Sequence, residues 1–180
     1  MGDRSVTRNC GPDLVRVGAG LPVAAYRDEI TTALHGGRAV IVAPPGTGKT
    51  TFVPPLVASR CSGRVIVTQP RRVAARAAAR RLATLTGTRP GEFASHTVHG
   101  ESTTTRDTKV EFVTTGVLLR RLLSDPDLTG VDAVVLDEVH ERHLDADLVV
   151  AMVCEVAQLR DDLTIVAMSA TVDSLSLIHI

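Results

Sequence analysis

The sequence predicts an α/β fold, a mostly parallel sheet with helices on both faces, and three observations carry that expectation. Short apolar, β-branched runs alternate with segments of helical periodicity. The first such run leads into a glycine loop and then a helix, and a later run ends in a pair of acids. Strand and helix in repeated alternation is the pattern of parallel strands joined by crossover helices. At 180 residues and 44% hydrophobic content the chain has enough mass for one ordinary domain with its own core.

Residues 1–20 read as a loose leader holding Gly, Arg and Asp, without the apolar stretch of a signal peptide. The folded domain is expected over 21–173. Leu21-Pro22-Val23 opens a segment whose apolar positions Ala25, Ile30, Ala33 and Leu34 suit a surface helix, ended by Gly36-Gly37. Strands are expected over 39–42, 64–68, 110–114, 133–136 and 164–168, and helices over 49–58, 72–85, 116–123 and 147–159. Pro54-Pro55 predicts a kink or an early end in the first of these helices, because an interior proline removes a ladder hydrogen bond.

The glycine loop is Ala43-Pro44-Pro45-Gly46-Thr47-Gly48-Lys49-Thr50. Ala43 stands where the strict phosphate-loop string has Gly. Between a strand and a helix, the N–H groups of such a loop converge at the positive end of the helix dipole, where phosphate oxygens belong. Lys49 is placed to reach the β- and γ-phosphates and the Thr50 hydroxyl to bind Mg²⁺. Eighteen of the twenty basic residues are Arg, so Lys49 is one of two lysines, with Lys109. A compact ammonium and a planar guanidinium are not interchangeable in a tight loop.

The acid pair belongs to Asp137-Glu138-Val139-His140, which follows the buried run Val131-Asp132-Ala133-Val134-Val135-Leu136. Ligands of open α/β sheets bind at the carboxyl ends of the strands. Asp137 is placed to hold Mg²⁺, and Glu138, on the other side of the pleat, to act as general base on an attacking water. Together the loop and the acids point to hydrolysis of a nucleoside triphosphate.

Composition narrows the partners. Lys+Arg and Asp+Glu balance at 20 each, so bulk charge announces neither nucleic acid nor membrane. With no Trp, three Phe and one Tyr, base stacking on aromatic platforms is a poor device for this domain. Cys10, Cys61 and Cys154 are isolated and lack ligand spacing, which argues against zinc and disulfides and for a reducing, cytoplasmic setting. Any basic patch must be local. One candidate is Thr68-Gln69-Pro70-Arg71-Arg72-Val73-Ala74-Ala75, where a strand passes into a helix carrying Arg71, Arg72, Arg76, Arg80 and Arg81; another is Val113-Thr114-Thr115-Gly116. Hydroxyls, helix-start N–H groups and guanidinium grip a sugar-phosphate backbone without reading sequence. Taken alone, the arginines equally suit a solvated helix face.

These residues resemble the DEAH-box helicases of superfamily 2. Asp137 to His140 is similar to the family's motif II with Val in its third position, Thr68 to Ala75 to motif Ia, Thr114 to Arg120 to motif Ib and Ser169-Ala170-Thr171 to motif III. Glu141-Arg142-His143-Leu144 and Val98-His99-Gly100-Glu101 look most like the bacterial HrpB-type branch. The resemblance implies a RecA-like P-loop NTPase domain, the first motor domain of an ATP-dependent RNA or DNA helicase that uses ATP and Mg²⁺. It implies nucleotide binding by Gly46, Thr47, Gly48, Lys49, Thr50 and Thr51, with Arg81 stacked on the base. Asp137, Glu138 and Lys49 would be catalytic, and Thr50 and Asp137 would bind the metal. Arg71, Arg72, Thr114, Thr115 and Gly116 would touch single-stranded nucleic acid, while His140, Ser169 and Thr171 would couple hydrolysis to movement. His99 departs from the family, where Arg is usual.

The family also has a second RecA-like domain that supplies an arginine finger, and this sequence stops just after motif III. An isolated first domain is therefore expected to hydrolyse ATP feebly. Leu175-Ser176-Leu177-Ile178-His179-Ile180 resembles the translation of a transposon-end adapter used in sequencing libraries, so residues 174–180 are expected to be a non-native tail. Finding the same codons and a stop in genomic DNA contradicts that expectation. Two other functions stay open: an NTP-binding module with no hydrolysis of its own, and a P-loop kinase.

Overall fold

The structure, a computed structural model, describes residues 11–141 and 143–171. Its centre is a seven-stranded sheet: β1 Arg38–Val42, β2 Arg64–Gln69, β3 Ala94–Val98, β4 Glu101–Ser102, β5 Val110–Thr114, β6 Val131–Leu136 and β7 Thr164–Ser169. The order across it is β1-β7-β6-β2-β5-β3-β4. All neighbouring pairs are parallel except the β3–β4 hairpin at one edge. The expected mostly parallel sheet is therefore what forms.

Helices α1 Leu14–Gly18, α2 Arg27–Ala33, α3 Lys49–Ala58, α4 Arg72–Thr86, α5 Thr115–Ser124 and α6 Leu144–Leu159 cover both faces. Side-chain alternation along the central strands divides the core in two. Val65 and Val67 of β2 pack with Phe52 of α3 and Leu82 of α4, whereas Ile66 points to the other face with Leu118 of α5 and Val153 of α6. Residues buried on both faces explain why these strands read as unbroken apolar runs.

Four elements depart from the sequence expectation. Residues 14–18, placed in a loose leader, form α1, capped by the Asp13 carboxylate, which accepts from the Val15 and Arg16 N–H groups, with Val17 buried. The helix expected over 21–34 is divided into a 3₁₀ turn Pro22–Tyr26, α2, and a second 3₁₀ turn Leu34–Gly36. Pro54-Pro55 neither kinks α3 to an end nor shortens it; both prolines are buried along with Phe52, Val53, Leu56 and Val57. Packing on all sides of α3 outweighs the lost ladder bonds.

The fourth departure is β3 with β4, which the pattern did not suggest. Ala94-Ser95-His96-Thr97-Val98 lacks an apolar alternation because its buried polar groups are satisfied by side chains. Thr97 donates to Glu111 Oε1 at 2.7 Å, and His96 Nε2 lies 2.8 Å from Glu101 Oε1. Tertiary hydrogen bonds supply what local propensity does not.

Candidate functional site

The carboxyl ends of β1, β7, β6, β2 and β5 lie along one edge of the sheet, so the segments that follow them are neighbours there. After β1 the chain turns through Gly46 and Gly48, both at positive φ, and Gly48 is the N-cap residue of α3. The Thr51 and Phe52 N–H groups donate to the Gly48 carbonyl, starting the helix. Lys49 is buried to 6% exposure, and its Nζ donates to the Ala43 carbonyl and, at 3.1 Å, to that of Pro44. The ammonium is thus folded back into the loop. Thr47 Oγ1 donates to the Pro44 carbonyl at 2.8 Å.

A hydrogen bond joins the loop's end to the acid pair. Thr50 Oγ1, in the first turn of α3, donates to Asp137 Oδ2 at 2.6 Å. The same oxygen accepts from Gln69 Nε2 at 2.6 Å, and Asp137 Oδ1 accepts from the Glu138 N–H at 2.9 Å. Thr68 Oγ1 accepts from the Asp137 N–H at 3.1 Å. Thr68 and Gln69, read from sequence as part of a backbone-gripping edge, are instead buried supports for Asp137. No local pattern distinguishes those two roles; the β2–β6 register brings Thr68 beside Leu136.

Glu138 is oriented differently from the sequence expectation. The strand ends at Leu136, and Glu138 sits at φ 56°, in the left-handed region. A turn in the backbone, not the alternation of a pleat, aims its side chain. Residues other than glycine are uncommon there, and such strain gathers at functional sites. His140 Nε2 lies 3.2 Å from Glu138 Oε2, and His140 Nδ1 accepts from the Ala170 N–H at 3.3 Å. A neutral imidazole protonated at Nε2 satisfies both contacts.

Burial pushes the Asp137 carboxyl above the usual carboxylate range, against the hydrogen bonds from Thr50 and Gln69 that pull it down. Glu138 is raised as well, first by burial and then by the Asp137 charge. Two carboxyls held this way favour a nearby cation. Backbone bonds tie in the remaining segment: the Ala43 N–H donates to the Ser169 carbonyl at 3.2 Å and the Val139 N–H to the Met168 carbonyl at 3.2 Å. Ser169 Oγ donates to the Thr171 carbonyl at 2.8 Å, closing a tight turn after β7.

Beside the acids lies a cleft of about 220 Å³, walled by Thr114, Thr115, Gly116, Glu138, His143 and Asp147 among others. It brings the β5–α5 junction against the acid segment. Arg71 and Arg72 stand exposed at the start of α4, Arg71 Nη2 lying 3.7 Å from Glu141 Oε1. Thr51 is half-buried in the first turn of α3, and Arg81 is exposed further along α4. Arg76, counted with the gripping arginines, pairs with Glu101 of the hairpin. His99, at the hairpin turn, accepts from Arg120 Nη2 at 3.2 Å through Nδ1, so an Arg there would face a like charge. Arg142 and residues 172–180, including the proposed non-native tail, lie outside the described residues.

The family described as DEAD/DEAH box helicase matches residues 26–178. The ATP-dependent RNA helicase HrpB of Escherichia coli (strain K12) is 44% identical over 158 residues, covering 86% of this chain and 20% of that protein. The ATP-dependent RNA helicase HrpA of Borreliella burgdorferi is 35% identical, covering 86% and 19%. The ATP-dependent RNA helicase DHX29 of Mus musculus is 39% identical over 168 residues, covering 86% and 12%. Among solved structures, the E. coli DEAH/RHA helicase HrpB superposes with a TM-score of 0.81 at 43% identity, covering 86% of this chain and 20% of that one. The chain spans a fifth or less of the length of these relatives.

Proposed function

The chain belongs to the DEAD/DEAH box helicase family, and we propose that it is the first motor domain of an ATP-dependent helicase, binding and hydrolysing ATP against single-stranded nucleic acid. The observation that carries this reading is the 2.6 Å contact of Thr50 Oγ1 with Asp137 Oδ2, which joins the phosphate loop to the acid segment. Mg²⁺ fits the donor set: the Thr50 hydroxyl and an Asp137 carboxylate oxygen side by side, with Glu138 adjacent, the charge of both acids being disfavoured by burial. Mg²⁺ ordinarily takes one or two protein oxygens and fills its other positions with water and phosphate. Thr50 and Asp137 would hold it, and when bound it would neutralise charge on the phosphates.

The remaining roles belong to the protein's own groups. The N–H groups of Gly46, Thr47, Gly48, Lys49, Thr50 and Thr51 cradle the phosphates, and Lys49 exchanges a loop carbonyl for a phosphate oxygen. Glu138 takes a proton from the attacking water as oxygen bonds to the γ-phosphorus and the bond to the β–γ bridging oxygen breaks. A pKa raised above the ordinary glutamate value brings that base closer to neutral pH. His140 links Glu138 to the Ala170 N–H, which supports a relay from the acid segment to Ser169 and Thr171. Arg81 stacks on the base, and Arg71, Arg72, Thr114, Thr115 and Gly116 hold the nucleic-acid backbone.

Turnover of ATP with and without single-stranded RNA and DNA tests the proposal. Lys49→Ala is expected to lose nucleotide affinity, and Glu138→Gln to keep affinity while losing turnover. Transfer of phosphate to a small acceptor in place of water would revive the kinase reading.

A further inference from the structure

We infer that residues 18–24 form a strap that sets the shape of the phosphate loop, with Leu21 as its positioning residue; this rests on the phosphate-loop reading above. Gly48 has φ 92°, and a Cβ built on it would stand 2.9 Å from Leu21 Cδ2 and 3.0 Å from Leu21 Cδ1. Leu21 therefore packs on the bare Cα of Gly48, the residue immediately before Lys49. Any loop conformation that moves this Cα outward meets the leucine.

A second contact fixes the neighbouring peptide plane. The Val23 N–H donates to the Thr47 carbonyl at 3.1 Å. In a trans peptide the carbonyl and the following N–H point in opposite directions. Holding the Thr47 carbonyl towards the strap thus turns the Gly48 N–H away from it, leaving that donor for the opposite side of the loop. Orientation of loop N–H groups is what makes such a loop bind anions.

The strap is itself anchored, so it can act as a fixed wall. The Leu21 N–H donates to the Gly18 carbonyl and the Ala24 N–H to the Leu21 carbonyl, each at 3.0 Å. Gly18 lies so close to α3 that a Cβ there would meet Phe52 Cε2 at 2.8 Å and Ala24 Cβ at 2.9 Å. Phe52 is 1% exposed, and its own N–H donates to the Gly48 carbonyl at 2.9 Å. Strap contacts at Thr47, Gly48 and Phe52 therefore bracket Lys49 on both sides. A preorganised loop binds more tightly because the free protein has already met the ordering cost.

Titration of the full chain with a fluorescent N-methylanthraniloyl ATP analogue tests the strap, with thermal melts run in parallel. Leu21→Ala is expected to weaken binding about tenfold, the scale of losing geometric preorganisation. Leu21→Met is expected to restore wild-type affinity. Ile30→Ala, a cavity in α2, should lower the melting temperature at least as much and leave affinity unchanged. Wild-type affinity in Leu21→Ala, or an equal loss in Ile30→Ala, would overturn the positioning role. Lys49→Ala separates the two levels: if it too binds normally, the phosphate-loop reading falls and the strap with it; if it alone loses affinity, only the strap falls.

Discussion

Asp137 and Glu138 are adjacent acids whose folded-state pKa values both lie above their ordinary values, chiefly through burial. A raised folded pKa contributes stability below the unfolded value and loses it as pH rises through the folded value. Both acids therefore destabilise the apo protein at neutral pH relative to a neutral side chain. Glu138→Gln is predicted to melt at a higher temperature than wild type at pH 7, with the gap closing below about pH 4, where the unfolded carboxyl is protonated too. Calorimetry at the two pH values checks this; an equal gap at both would show that ionisation is not the cause. Gln at φ 56° keeps the same backbone strain, so the comparison isolates charge. Lys49, Thr50, Asp137 and Glu138 were legible in the sequence as motif residues because their spacing is local, and the structure brings Thr50 and Asp137 together. Gln69, which shares an Asp137 oxygen with Thr50, was not, because its role exists only across the β2–β6 pairing.

At the scale of elements, α5 is positioned by a carboxylate buried in the sheet. Glu111 of β5 is 1% exposed and accepts from Arg121 Nη1 and Nη2 at 2.9 Å each, from Arg64 Nη1 at 3.2 Å and from Thr97 and Thr104. Burial alone would raise its pKa, but hydrogen bonds from Arg121 and Thr97 and the two arginine charges bring the net value below the usual range. Its stabilising contribution is thus present above the unfolded pKa and lost as pH falls through the folded one. Glu111→Ala is predicted to cost about 3 kcal/mol in denaturant unfolding, the low end for breaking a buried pair, since both arginines keep partial exposure. Because Thr114 to Gly116 open α5, the same variant should also weaken nucleic-acid binding. Of the arginines on α4, Arg76 is held by Glu101, so Arg72 carries the cleaner test. Arg72→Ala is predicted to weaken binding equally across sequences and to lower the salt slope by about 1. The β3–β4 hairpin that holds Arg76 escaped the sequence pattern because its buried groups are polar and find their partners on β5 and on the hairpin itself.

For the whole molecule, strand order does the assembling. With β1, β7, β6, β2 and β5 adjacent in that order, the loop after β1, the turn after β7, the acids after β6 and the two helix starts after β2 and β5 form one continuous edge. Ligands of such sheets bind there because helix N-termini and free loop N–H groups collect at the carboxyl ends. Nucleotide bound across this edge ties α3 to β6, so saturation should stabilise the fold against unfolding by about 2.7 kcal/mol at a hundred times the dissociation constant. A melt that does not move with ATP concentration would argue against binding. Fusing this chain to the second RecA-like domain that the family resemblance implies is predicted to raise ATP turnover by about 10³-fold or more, through an added arginine. Single-turnover kinetics on both proteins checks it.

The sequence by itself determined five of the sheet's seven strands and which motif residues follow them, since apolar runs, glycine turns and motif spacing are local properties written in neighbouring residues. It also established the parallel class of the fold, because strand–helix alternation leaves a crossover as the short route. Only the tertiary structure decided which groups support those residues: Gln69 and Thr68 beneath Asp137, His140 between Glu138 and Ala170, and Leu21 against Gly48. Apart from the Glu138–His140 pair, these contacts join residues distant in the chain, and distance in the chain is what local pattern cannot bridge. Glu138 illustrates the boundary, for its identity was plain while its direction depended on a left-handed turn no periodicity announces.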